Sequence, residues 1–148
     1  MWDYEKYVWA ISEDKVHNYL FPRACPRICT GNKKIEALAD WVNIEKVKDK
    51  KAIIFVPKQW ELKIKDSVLY QYEFAPANFS IIDEIAGYYV SKQSEIPVQK
   101  TILKDCPSLL KKMNVALIFK ETQELKEICQ KVIESMQEFS IIKWNNLS

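Results

Sequence analysis

Glycine is almost absent from this chain. Of 148 residues, only Gly31 and Gly87 are glycine. Phosphate-binding loops and dinucleotide turns need several glycines, so that backbone can approach a phosphate closely. Both classes are therefore excluded. The histidine count is as restrictive: His17 stands alone, so no multi-histidine metal centre can form. What remains is a fold built from apolar runs, prolines and aromatic strands.

The stretch Tyr7–Gly31, YVWAISEDKVHNYLFPRACPRICTG, concentrates the unusual chemistry. Val8, Trp9, Ala10 and Ile11 read as a strand. Ser12 is a good N-cap, and Glu13 and Asp14 suit the first turn of a helix over about Glu13 to Leu20. Pro22 ends that helix. Two X-Pro-Arg units follow, carrying Arg23 and Arg27 on a stiff turn, before an expected strand at Ile28–Thr30. Arginine matches carboxylates and phosphates bidentately, and proline-fixed backbone lowers the entropy lost on binding. The functional reading is an anion site with Arg23 and Arg27 as clamps and Tyr19 or Phe21 as a stacking wall. The structural reading pairs the arginines with Glu13 and Asp14. His17 has the intrinsic pKa of a general acid or base, although a lone histidine in a short amphipathic helix serves packing equally well. Cys25 and Cys29, with His17, supply at most three soft ligands, so no metal is expected.

The pattern YVWAIS…NYLFPRACPRICT resembles the signature of a family of small bacterial domains of unknown function, close to VWAID…YxxPRxCPRV. Further matches lie at Trp60, Leu69–Phe74, Gly87–Ser91 with Pro97, and Glu138–Asn146, so the resemblance covers nearly the whole chain. There are two departures. Family members carry more chain before the VWAI strand, including an early strand with a histidine, whereas six residues precede Tyr7 here. Ala24 also stands where an Asp is usual. The resemblance implies a shortened or specialised member, and it implies boundaries and a site location without a reaction.

Composition bounds the rest. The length and a 48% hydrophobic, 28% charged composition fit one domain spanning residues 1–148. A net charge of +2 is too mild to imply nucleic acid. Met1-Trp2-Asp3-Tyr4-Glu5 lacks a signal-peptide pattern, and no apolar run reaches membrane-spanning length. Four scattered cysteines suit reduced thiols, so a cytoplasmic location is expected.

Downstream, Lys33–Val42 reads as a helix with Ile35, Leu38, Ala39 and Val42 on one stripe, and Asn43–Lys51 as a solvated lysine-rich connection. Ala52–Val56 reads as a strand buried on both faces. Pro57 can open a short helix with Trp60 and Ile64 on one side, although Trp60, Leu62 and Ile64 also alternate like a strand. Val68–Phe74 alternates as a strand with Val68, Tyr70, Tyr72 and Phe74 on one face. Ile81–Ile85 fits either a helical turn or a short strand. Gly87–Ser91 and Pro97–Leu103 read as strands. Asp105 caps a helix that places Cys106 where a dipole would lower its thiol pKa. Val115–Phe119 is a buried strand. Glu121–Glu138 is the clearest helix, with the stripe Leu125, Ile128, Cys129, Val132, Ile133 and Met136. Ser140–Trp144 is the last strand.

The expected fold is α+β, a mixed but mainly antiparallel sheet with about four helices. If Trp9, Tyr19, Arg23, Arg27, Tyr88 and the other tyrosine-rich strands converge, they would form a pocket for a small anionic ligand, nucleotide- or phosphate-like. The alternative is that the ring-lined faces are core. Glu73 is the acid of choice if there is chemistry, because it interrupts an aromatic strand; a solvent-facing role is the alternative. No cofactor, nucleic acid or membrane partner is expected. A second reading is a protein–protein or regulatory module with exposed aromatics as its interface. A third is an ADP-ribosyltransferase-like enzyme, a class with split sheets, few glycines and an acid on a late strand, although its early histidine strand is missing.

Overall fold

A computed structural model describes residues 7–135 and 138–147. Met136 of the expected helix stripe and the opening Met1–Glu5 segment lie outside the described residues. The elements run β1 (Val8–Ile11), a 3-10 helix (Glu13–Tyr19), β2 (Arg27–Thr30), a 3-10 helix (Ile35–Leu38), α1 (Ile44–Val47) and β3 (Ala52–Pro57). A 3-10 turn (Lys58–Trp60) leads into α2 (Glu61–Asp66). Next come β4 (Val68–Glu73), a 3-10 turn (Pro76–Asn78), β5 (Phe79–Asp83), β6 (Tyr88–Ser91) and β7 (Gln99–Lys104). The chain closes with α3 (Cys106–Lys112), β8 (Val115–Lys120), α4 (Thr122–Ser135), β9 (Phe139–Ile142) and a 3-10 turn (Trp144–Asn146).

β3 is the spine. All six of its residues are buried, as an uninterrupted apolar run requires. It pairs antiparallel with β2 and parallel with β8, giving a four-stranded sheet in the order β8-β3-β2-β9. Strand alternation then sorts its side chains into two apolar clusters. Ala52, Ile54 and Val56 face Leu20, Phe21, Cys25, Cys29, Ile64, Cys106 and Leu110. Ile53 and Phe55 face Ile28, Ile35, Leu38 and the α4 stripe of Leu125, Ile128, Cys129 and Val132. A three-stranded sheet, β1-β6-β5, and a two-stranded ribbon, β4-β7, complete the architecture. Among the described residues only the β3–β8 pair is parallel, so the fold is α+β and mainly antiparallel.

Several local expectations change. Lys33–Val42 holds only a single 3-10 helix, because Ile35 and Leu38 bury at a three-residue spacing and no side chain caps the start. The lysine-rich connection contains α1, anchored by buried Val47. Of the Ile81–Ile85 segment, Ile81 to Asp83 lie in β5, and Glu84 and Ile85 lie in the turn that follows. Pro57 ends β3, and the short helix with Trp60 and Ile64 forms beyond it. The aromatic side of β4 faces solvent, and it is Leu69 on the opposite side that packs on the core. The two-stranded ribbon has only one covered face, and alternation alone does not say which.

The β5–β6 turn seats directly on the first 3-10 helix. Ser12 N donates to Gly87 O at 2.8 Å, and Gly87 N donates to Asp83 O at 2.8 Å. Gly87 has φ +76°, and a Cβ there would come within 2.8 Å of Lys15 Cγ. Gly87→Ala therefore combines left-handed strain with a steric clash and is expected to cost about 2 kcal/mol, a loss of roughly 4–8 °C in Tm. Thermal unfolding checks this, and an unchanged Tm would show that the turn does not hold the helix.

Candidate functional site

The proline–arginine turn folds around Arg27. The Pro22–Cys25 turn closes through Cys25 N donating to Pro22 O at 3.0 Å, and Asn146 Nδ2 braces it by donating to Ala24 O at 2.8 Å. β2 then starts at Arg27 and turns its side chain inward, where it is 4% exposed. Nε donates to Asn18 O and Nη1 donates to Cys25 O, both at 2.7 Å. The guanidinium also lies 5.7 Å from the Tyr19 ring centroid and 5.0 Å from that of Phe21. Among the described residues it has no carboxylate partner. Burial pulls its pKa below the ordinary value. Short charge-assisted bonds to carbonyls and two aromatic faces offset the desolvation.

Four of the five expected ligand residues meet here. Tyr19 Oη donates to Tyr88 Oη at 2.6 Å, and their rings lie 6.0 Å apart. Trp9 packs edge-on against Tyr88, also at 6.0 Å. Burial and the Tyr88 hydroxyl push the Tyr19 phenol well above its ordinary range. Trp9, Tyr88, Tyr19 and Arg27 thus make one continuous stack that ties the three-stranded sheet to β2. Arg23 does not join it and is exposed. Glu73 is exposed on β4 and sits on the ribbon.

A cavity of about 270 Å³ opens beside this stack. The first 3-10 helix supplies Asp14, Lys15, His17 and Asn18; the end of β2 and the next loop supply Cys29, Thr30, Gly31, Asn32, Lys33 and Lys34. Lys51, Ile85 and the start of β9 close it. Asn32 Nδ2 donates to Lys48 O and Lys50 O at 2.8 and 2.6 Å, and so fixes the loop that carries Lys33 and Lys34. None of Lys15, Lys33, Lys34 or Lys51 forms an ion pair among the described residues. His17 and Asn18 are 4% and 7% exposed, and His17 Nδ1 and Asn18 Oδ1 have no hydrogen-bond partner among the described residues.

The charges set the protonation states. Burial, then Lys51 and Lys15, pull the His17 pKa down to about 4 against a weaker opposing effect of Asp14, so the ring is neutral at pH 7. A hydrogen bond from Ser12 holds the Asp14 carboxyl below its ordinary range. Burial pushes the Cys25 and Cys29 thiols up to about 12, against a lowering by Arg27. Cys106 is shifted upward as well, by burial and then by Asp105, which overrides the helix-dipole expectation. These thiols are packing groups at neutral pH. Among the described residues, no group of three or more His, Cys, Asp and Glu side chains is placed to hold a metal ion.

The sequence pointed to a helix here and to His17, but the element is a 3-10 helix, none of Trp9, Tyr19, Arg23, Arg27 and Tyr88 lines the cavity, and the lysines carried no expectation. Lys33 and Lys34 follow the Gly31-Asn32 break, and that pairing was the one available signal. Lys15 and Lys51 come from distant segments, and only the tertiary fold brings them to the same cavity.

The profile of a family of unknown function, DUF6886, matches residues 2–147, and the chain belongs to that family. No curated protein and no solved structure matches it.

Because folded His17 resists protonation while the unfolded residue titrates near 6.5, the histidine's stabilising contribution is present above pH 6.5 and lost as pH falls through about 4. Relative to His17→Gln, the wild type is expected to lose about 1–3 kcal/mol more across that window. Urea unfolding at a series of pH values measures the difference, and parallel curves would contradict it.

Proposed function

We propose that this protein binds a small dianion, a phosphomonoester or an equivalent phosphate-bearing metabolite, in the cavity between the first 3-10 helix and the β2 end. One observation carries this reading: four lysines with no ion pair among the described residues surround a cavity whose buried wall holds His17 Nδ1 and Asn18 Oδ1, unpartnered among those residues. Four lysines against the carboxylates of Asp14 and Glu138 leave a surplus of two positive charges with His17 neutral. That surplus matches a phosphate dianion better than a monocarboxylate. At about 270 Å³, the space is below the range of drug-sized ligands and suits a compact metabolite. Ile85, Phe139 and Ala52 offer apolar walls for a short carbon skeleton.

Arg27 supports the site indirectly. Its bond to Asn18 O fixes the helix end that presents His17 and Asn18. Arg23 is left free of this duty and contributes only diffuse positive charge. Glu73, the acid of choice if there is chemistry, does not line the cavity.

Titration calorimetry with inorganic phosphate and glycerol phosphate tests the proposal. Saturable binding is expected, weakening with added salt, and Lys33→Ala with Lys34→Ala should reduce affinity about tenfold. Arg23→Ala should leave affinity within about twofold. Absence of binding by both anions, or binding that the lysine pair does not affect, would refute it.

A further inference from the structure

The β4–β7 ribbon belongs to neither larger sheet. Leu69 and Leu103 on its inner side pack on the cluster that includes Ile64, Cys106 and Leu110. Its outer side is set by the register pairs Val68↔Lys104, Tyr70↔Ile102 and Tyr72↔Lys100. Tyr70 and Ile102 are 56% and 55% exposed. Val98 extends the same side by one step, donating its N–H to Glu73 O at 2.7 Å. Lys100 Nζ lies over both tyrosine rings, at 4.9 and 5.8 Å.

Among the described residues, β7 pairs with β4 alone, so its second edge has no strand beside it. Along that edge the outward residues read Val98, Lys100, Ile102, Lys104, with no acid. Neither lysine forms an ion pair among the described residues. An open edge of this kind offers backbone donors and acceptors to an incoming strand, and alternate side chains set its identity.

The charge pattern selects among occupants. A second copy pairing antiparallel about Ile102 would place Lys100 opposite Lys104 twice, which is repulsive. Single-stranded nucleic acid would stack bases on Tyr70 and Tyr72, but Lys100 already covers those rings. A lipid surface is drawn by clusters of about four to eight basic residues, and this face has two lysines.

We infer that the free edge of β7 takes up an extended segment of an acidic partner protein as a third strand. Acidic side chains of that segment would sit opposite Lys100 and Lys104, with an apolar one opposite Ile102. This surface is separate from the lysine-lined cavity and does not depend on it.

The probe is the synthetic peptide TDTVTDT, whose alternation and symmetry suit either strand direction. Titrated into the full chain and followed by backbone amide NMR, it should bind saturably with a Kd on the order of 0.1–1 mM, with shift changes confined to the β4–β7 ribbon. Combining Lys100→Glu with Lys104→Glu, both at exposed positions, should weaken it about tenfold or more and favour TKTVTKT instead. Methylating alternate peptide amides should abolish binding. Equal binding of TKTVTKT to the wild type, shifts outside the ribbon, or binding unaffected by amide methylation would overturn the inference. So would self-association of the chain through β7, or sedimentation with phosphatidylserine vesicles in place of peptide binding.

Discussion

A buried guanidinium without a carboxylate is costly, because a charge withdrawn from water must regain its solvation from the protein. Arg27 regains it from two backbone carbonyls and two aromatic faces. The two carbonyls belong to different segments: Asn18 near the end of the first 3-10 helix, and Cys25 in the proline-rich turn. One side chain therefore fixes the positions of helix, turn and β2 relative to one another. Removing it would leave both carbonyls buried and underused. The prolines matter because they hold the turn in the geometry that aims Cys25 O at the guanidinium.

From that anchor the cavity follows. The 3-10 helix is held from one side by Arg27 and from the other by the β5–β6 turn through Gly87. It presents Asp14, Lys15, His17 and Asn18 toward the loop that Asn32 pins to the lysine-rich segment. The lysines share the cavity with two carboxylates, Asp14 and Glu138, and burial, aided by Lys51 and Lys15, keeps His17 uncharged. A bound dianion would offset the lysine charge and make protonation of His17 easier, so occupancy and proton uptake are linked by the same electrostatics.

Much of the architecture was legible in the chain. The Ala52–Val56 run could only be a doubly buried strand, and the Leu125, Ile128, Cys129, Val132 stripe could only be a helix on a core. Periodicity was weaker where elements are short. Ile35 and Leu38 fit both an α stripe and a single 3-10 turn, and burial chose the latter. The alternation of β4 was visible, yet its inward face was not, because the choice depends on what α2 and α3 leave for it to cover. Two neighbouring Pro-Arg units read alike in sequence, but β2 begins at Arg27 and draws it inward while Arg23 stays on the turn. Lys15 and Lys51 carry no local mark of a shared cavity.

In the proposed function the division of labour is one arginine that builds and four lysines that bind. A crystal of the protein grown without phosphate and then soaked in it tests this division directly. Phosphate density is expected among Lys15, Lys33, Lys34 and Lys51, with the Arg27 guanidinium still bonded to Asn18 O and Cys25 O. Density instead on the Pro22–Arg27 turn, held by Arg23 with Arg27 released from those carbonyls, would contradict it.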